Sequence, residues 1–391
     1  MNLRASGLGQ RVVLAVLLLS LCVSAGCKDR SWTLWNAYSA RFVDAQGRVF
    51  DPKSDQHTTS EGQAYAMFFA LVAGDRAHFD RILGWTQANL AGGSLETRLP
   101  SWLWGKSPEG SWKTLDANSA ADADVWMAYS LIEAGRLWNR PAYTDLGLKM
   151  AGLIAKSEVA YLPGFGQMLL PGPTGFQHGN NWMLNPSYLP VFLFQRLASA
   201  DPRGPWGEIA EHIPRLLAQS ARHGYAMDWI EYVPGDGFYP ASLPAPEGAN
   251  KGPETAMGSY DAIRVYLWAG MVNEAGSLRG QLLAATPAMS AYLANHDAPP
   301  EKVSDQGVPM PQDGPVGFSA ALLPYLRAYG ASQSNGRQLV RMNALRDSAS
   351  GLYGKDLSYY DQNLALFGTG FLDGRFGFGP GGELKVEWKR Q

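Results

Sequence analysis

The chain predicts an all-α fold built from paired helices, and three observations carry that reading. Eleven segments repeat apolar residues at helical spacing, and long alternating Val/Ile/Thr runs are scarce. Three long connections, 94–119, 161–186 and 224–258, are rich in Gly, Pro and aromatic residues. Long loops inside a compact domain are usually functional. These carry Trp102, Trp104, Trp112, Trp182 and Trp229, so they are expected to be packed cleft walls.

The helices are expected over 61–74, 77–91, 120–138, 142–157, 188–200, 206–222, 259–273, 277–294, 316–329, 336–347 and 357–369. The first is the most legible. Thr58 with Glu61, and Ser60 with Gln63, spell two overlapping capping boxes, and Ala64, Met67, Phe68 and Leu71 follow at helical spacing. Asp122 and Asp124 open the third helix, and Asp261 opens the seventh after Gly258-Ser259-Tyr260. Trp85, Trp126 and Trp138 fall at helical positions and are expected in the core. So many helices of similar length suggest pairs, closed into a ring or strung as an open solenoid; periodicity does not separate the two. In a ring, the helix starts could converge on one rim.

The first residues read as an export signal: Arg4 and Arg11, an apolar run from Val12 to Leu21, then Val23-Ser24-Ala25 at a cleavage position. The run is too short to span a bilayer comfortably. Ser24-Ala25-Gly26-Cys27 also has the form of a lipoprotein site, a second-ranked reading. Cleavage after Ala25 leaves about 366 residues, one large domain or two small ones, with no composition shift to mark a boundary. Of two cysteines only Cys27 then survives, so no intrachain disulfide can form. Stability must come from an apolar core, for which 46% hydrophobic and 12% aromatic residues supply the material. The net charge of −2, about −4 without Arg4 and Arg11, argues against a nucleic-acid partner.

The six histidines show no paired ligand spacing, and neither a phosphate loop nor a G-x-S-x-G elbow occurs. No metal or cofactor is therefore expected. What stands out is acids in aromatic surroundings: Glu61, Asp122, Asp124 and Asp261, each near a helix start. Capping alone explains any one of them, since the helix dipole favours an acid there by about 0.3–1 kcal/mol. Asp261 and Arg264, three apart, also fit a surface ion pair. Together with loop aromatics suited to the C–H faces of sugars, the acids fit glycosidic-bond hydrolysis. That chemistry needs one protonated carboxyl and one ionised carboxylate, and a Glu61 in an apolar setting suits the first role.

Three ordered motifs strengthen this: Thr59-Ser60-Glu61-Gly62-Gln63-Ala64-Tyr65-Ala66-Met67, Ala121-Asp122-Ala123-Asp124 and Ser259-Tyr260-Asp261-Ala262-Ile263-Arg264. With 99–106, 185–190 and 314–321, they resemble glycoside hydrolase family 8, and within it the periplasmic endoglucanases of bacterial cellulose-synthesis operons. The resemblance runs from about Trp32 to Trp388. It implies a signal peptide over 1–25 and one catalytic domain over 26–391, folded as an (α/α)6 barrel. It also implies inverting endo-β-1,4-glucanase activity with Glu61 as general acid, Asp261 as base and Asp122 holding the sugar at the cleavage point. Asp124 is a weaker candidate for sugar binding. Arg264 and Tyr260 are expected to orient Asp261, and Trp102, Tyr188 and Trp229 to contact substrate. Ala121 replaces the usual Ser or Thr, and Ala66 a usual Gly; both leave the acids intact. The implied partner is a β-1,4-glucan chain, with functional association with the cellulose synthase, and the protein is expected to be a periplasmic or secreted monomer. Relatives acting on xylan, mixed-linkage glucan or chitosan share these acids, and a non-catalytic glucan-binding subunit is the reading from another class.

Overall fold

In the computed structural model, which describes residues 31–243 and 255–389, helices dominate. The expected signal segment, Cys22 and Cys27 lie outside the described residues. The helices come largely as consecutive neighbours. After α1 (Thr33–Phe42), α2 (Ser60–Ala73) packs on α3 (Arg76–Asn89), and α4 (Ala121–Trp138) on α5 (Pro141–Ser157). In the same way α6 (Val191–Ala200) packs on α7 (Trp206–Ser220), and α8 (Ala262–Met271) on α9 (Ser277–Ala285). A short α10 (Ala288–Leu293) follows, then α11 (Val316–Ala328) packs on α12 (Ser332–Ala344), and α13 (Tyr359–Leu372) ends the series.

Burial divides four of these pairs into an inner and an outer member, whereas α6 and α7 are each about half buried. All ten residues of α8 are buried, whereas Leu282 alone is buried in α9. A helix apolar on every side belongs inside, and one with a single apolar stripe belongs outside. The inner helices touch one another: α2 with α4, α4 with α6, α8 with α11, and α11 with α13. Aromatic rings join the remaining neighbours, Phe192 of α6 to Trp268 of α8 at 6.2 Å and Phe367 of α13 to Tyr65 of α2 at 5.2 Å. At the centre Trp126, Trp268 and Phe367 stand 5.1–5.4 Å apart in edge and tilted contacts favoured by the ring quadrupole. As expected, Trp126 and Trp85 are core residues, while Trp138 is half-buried.

The boundaries differ from expectation where local chemistry intervenes. The segment expected as one helix over 277–294 is two, because Pro287 has no N–H to continue α9. Likewise α6 begins only after Pro190, and Pro186–Tyr188 forms a separate 3₁₀ turn. α1 was not expected, and α12 starts four residues early. The two capping boxes are also absent. Thr59 is the cap of α2, its hydroxyl accepting from Gly62 N–H at 3.2 Å. Thr58 turns instead to the Val49 carbonyl, and Gln63 is buried against Val49 and Thr86.

The long connections contain short antiparallel strands, too brief to show alternation in sequence. β1 (Thr58–Thr59), β2 (Leu103–Lys106) and β3 (Trp112–Asp116) form one sheet; β4 (Val159–Leu162) and β5 (Gly166–Leu169) form a hairpin. β6 (Gln177–His178), β7 (Asn181–Leu184), β8 (Trp229–Val233) and β9 (Gly237–Ala241) make a four-stranded sheet in that order. β10 (Met257–Gly258) pairs with β11 (Val303–Ser304), and β12 (Phe376–Phe378) with β13 (Leu384–Val386). Among the described residues, no helix is long and apolar enough to cross a membrane.

Candidate active site

The starts of α2, α4 and α8, with the 3₁₀ turn before α6, meet at one buried guanidinium. Arg264, 6% exposed, sits in the first turn of α8. Its Nη1 donates to the Tyr65 hydroxyl at 2.8 Å and to Asp122 Oδ2 at 3.2 Å. Its Nη2 donates to Ser187 Oγ at 2.9 Å and to Asp261 Oδ1 at 2.6 Å. The planar fork thus fixes two carboxylates from two different helices, which a lysine ammonium would not do in the same geometry.

Each acid is held by local structure. Glu61 occupies the first turn of α2, immediately after the backbone contact from Ser60 N–H to the Trp102 carbonyl at 2.9 Å. The next residue, Gly62, leaves room for the Tyr359 hydroxyl, which a Cβ there would approach to 2.3 Å. Burial, then the nearby Asp122 charge, pushes the Glu61 carboxyl up to about 8. Asp122, 1% exposed, spends Oδ1 on the Ala123 N–H at 2.8 Å and Oδ2 on Arg264. Burial raises it to about 6 against the opposing pull of Arg264. Asp261 is less enclosed; besides Arg264 it accepts from Asn185 Nδ2 at 2.9 Å. The Asn185 amide is itself oriented, because its oxygen accepts from Ser187 N–H and Oγ at 3.0 and 2.7 Å.

The other expected residues are distributed differently. Asp124 is as deeply buried as Asp122, but Arg264 bonds to Asp122 and Asp261 and not to Asp124. Asp124 faces the buried Glu158, which also accepts from Ser119 Oγ. Two carboxyls in contact can hydrogen-bond only if one carries a proton. Burial, the larger effect, drives Asp124 well above its ordinary range and Glu158 to about 7. Tyr260 does not orient Asp261 with its hydroxyl: it is 42% exposed, packs on Phe318 and donates to Glu301 at 3.0 Å.

The aromatic residues line two sides. Trp102 is half-buried next to the start of α2, and no ring stacks on it among the described residues. Trp104, two residues on, is packed edge-on to Trp85 at 5.2 Å and stacked on Trp112 at 5.0 Å, with the Arg48 guanidinium 4.9 Å from its centre. Across the site Tyr188 lies under Arg264 at 5.7 Å, then Trp229 at 6.3 Å, and Phe176 parallel to Trp229 at 6.1 Å. Tyr65, Asn185, Ser187 and Glu158 were not singled out from sequence. The first three lie inside quoted motifs, and an Asn two residues before a Ser is a readable side-chain turn. Glu158 carries no local signal. Among the described residues, no group of three or more His, Cys, Asp or Glu could hold a metal ion.

The sequence model of glycosyl hydrolases family 8 matches residues 7–374. The chain belongs to glycosyl hydrolase family 8. An endoglucanase of Xanthomonas axonopodis pv. citri is 44% identical over 377 residues, 96% of this chain and 94% of the relative. An endoglucanase of Escherichia coli K12 is 42% identical over 392 residues, 100% of this chain and 99% of the relative. The crystal structure of an endo-1,4-D-glucanase from Vibrio fischeri ES114 superposes with a TM-score of 0.79 at 36% identity, covering 92% of this chain and 99% of that one. The family 8 chain is thus a glycoside hydrolase, and these two endoglucanase relatives cover 96% and 100% of it.

Proposed function

We propose that this family 8 enzyme is an inverting endo-β-1,4-glucanase acting on cellulose chains. The observation that carries the reading is a Glu61 carboxyl raised to about 8 beside a carboxylate pair held by one arginine. At neutral pH Glu61 keeps its proton and donates it to the glycosidic oxygen as the bond to C1 breaks. Asp261 takes a proton from a water that attacks C1 from the opposite face, so the new hydroxyl appears with inverted configuration. Asp122, anchored by Arg264, accepts from the sugar at the cleavage point and favours its distorted form. Trp102 on one side and Tyr188 with Trp229 on the other serve as sugar platforms.

For the scaffold we propose an (α/α)6 barrel in one catalytic domain over 26–391, with α2, α4, α6, α8, α11 and α13 as the inner ring. The ring contacts described above support this closure. The basic and apolar start of the chain supports export to the periplasm through a signal peptide over 1–25, with lipidation at Cys27 the second-ranked route. There the enzyme would trim nascent cellulose in functional association with the synthase, as a monomer.

The decisive assay is release of reducing ends from soluble carboxymethyl cellulose, with xylan, mixed-linkage glucan and chitosan in parallel. Activity confined to β-1,4-glucan and abolished in Glu61→Gln is the expected result. A Glu61→Gln variant near parental activity overturns the acid assignment, and binding of glucan without cleavage overturns the enzyme reading. NMR of the first anomer tests inversion, and mass spectrometry of the mature N-terminus tests processing after Ala25.

A further inference from the structure

We propose that Asp228 is a positioning residue for the base, capping α8 in place of Asp261; the inference rests on the assignment of Asp261 as base. Asp261 occupies the cap position of α8, where an aspartate ordinarily folds its carboxylate back onto the first free N–H groups. It makes no such bond, because its two oxygens are turned to Arg264 and Asn185. The exposed donors of the first turn still need acceptors.

Asp228 supplies them from outside the helix. Its Oδ1 accepts from the backbone N–H of Ser259 at 2.7 Å, Asp261 at 3.1 Å and Ala262 at 2.7 Å. Its Oδ2 accepts from Ser259 Oγ at 2.5 Å. The remaining first-turn donors are satisfied locally, Ile263 by the Ser259 carbonyl and Arg264 by the Asp261 carbonyl. Every donor at this helix start therefore has a partner, and none is the Asp261 side chain.

The chain around Asp228 is itself pinned to the same place. Asp228 N–H donates to the Met257 carbonyl at 2.8 Å, two residues before Ser259. The two segments approach so closely that a Cβ on Gly258 would lie 2.1 Å from the Ala226 carbonyl oxygen. The division of labour follows. One aspartate closes the helix start, which leaves the other free to face substrate. A base displaced by about 1 Å costs roughly 100-fold in rate, so the imported cap acts on turnover more than on binding.

The test compares Asp228→Ala, Asp228→Asn and Asp261→Asn by steady-state kinetics on cellopentaose, with calorimetric binding of cellopentaose to each. Asp228→Ala is expected to lower kcat at least 30-fold while KM and affinity stay within threefold. Asp228→Asn keeps an oxygen that accepts from the three N–H groups, so it is expected to retain kcat within about threefold. Circular dichroism marks a folded chain, and Asp228→Leu, close in shape but without acceptors, replaces the alanine variant if that one fails to fold. The inference is overturned if Asp228→Ala keeps kcat within twofold, if Asn is as impaired as Ala, or if affinity is lost together with rate. If Asp261→Asn is itself fully active, the assignment of the base fails first, and that result is separate from the other three.

Discussion

At the scale of single residues, the proposed chemistry depends on an acid that keeps its proton near neutral pH. Burial is what sets Glu61 apart, with the Asp122 charge second. The folded carboxyl titrates at about 8, against 4.5 ordinarily, so the folded state binds the extra proton throughout that window. Stability from this group is full below about pH 4.5 and lost as pH rises to about 8. Glu61→Gln cannot titrate, so its melting temperature should gain on the parent progressively between pH 5 and pH 8, while cellulose hydrolysis falls by roughly 100- to 10,000-fold. Thermal unfolding at several pH values and reducing-end assays check the two halves. The alkaline limb of kcat/KM in the parent should fall near pH 8. Arg264→Lys tests the fork: it keeps the charge but cannot bridge Tyr65, Ser187 and both aspartates. A fall in kcat of about 100-fold is expected from the resulting displacement of Asp261, read by the same assay with circular dichroism as the folding control.

At the scale of elements, the β2–β3 hairpin shows how two tryptophans two apart in sequence take different work. Residues two apart in a regular strand share a face, but Trp102 precedes β2 and the pairing with β3 shifts register between Leu103 and Trp104, which breaks the alternation. Trp104 is spent on Trp85, Trp112 and Arg48, whereas Trp102 keeps its ring free beside the start of α2. Trp102→Ala should therefore raise KM for cello-oligosaccharides about 3- to 10-fold, the value of one aromatic contact, with little change in stability. Trp104→Ala should instead destabilise the fold by about 2 kcal/mol or more, seen in urea titration, with the smaller effect on KM. The helix starts teach a related lesson. Ser, Thr, Glu and Gln around position 60 were legible as a cap, but which of them capped was decided by neighbours. Thr58 and Gln63 were drawn away to Val49 and Thr86, partners that sequence spacing does not reveal.

At the scale of the whole molecule, the end of α4 opposite the acids is tied down by a second buried charge. Glu133 is fully buried and accepts from Arg136, from Arg196 of α6 at 2.6 Å and from the Leu384 N–H of β13 at 2.7 Å. One carboxylate thus joins two inner helices to the C-terminal hairpin. Glu133→Ala leaves two arginines without their partner and should cost about 3–5 kcal/mol. A fall in melting temperature of roughly 5 °C or more is expected, with turnover at low temperature near parental. A large loss of turnover in a folded Glu133→Ala protein would show that this end communicates with the cleft.

The sequence by itself determined the helical class, because 3.6-residue apolar periodicity is a property of each segment alone. It also singled out Glu61, Asp122, Asp261 and Arg264, which sit in contiguous motifs at helix starts. Proline positions could have corrected the breaks before α6 and after α9, since the missing N–H is a local fact. Only the tertiary structure decided how those starts share one guanidinium, and that Asp124 turns away to Glu158. It alone showed that Asp228, 33 positions before Asp261, closes the helix that Asp261 leaves uncapped. Hydrogen-bond partners between distant segments depend on which backbones approach each other, and spacing within one segment does not encode that approach.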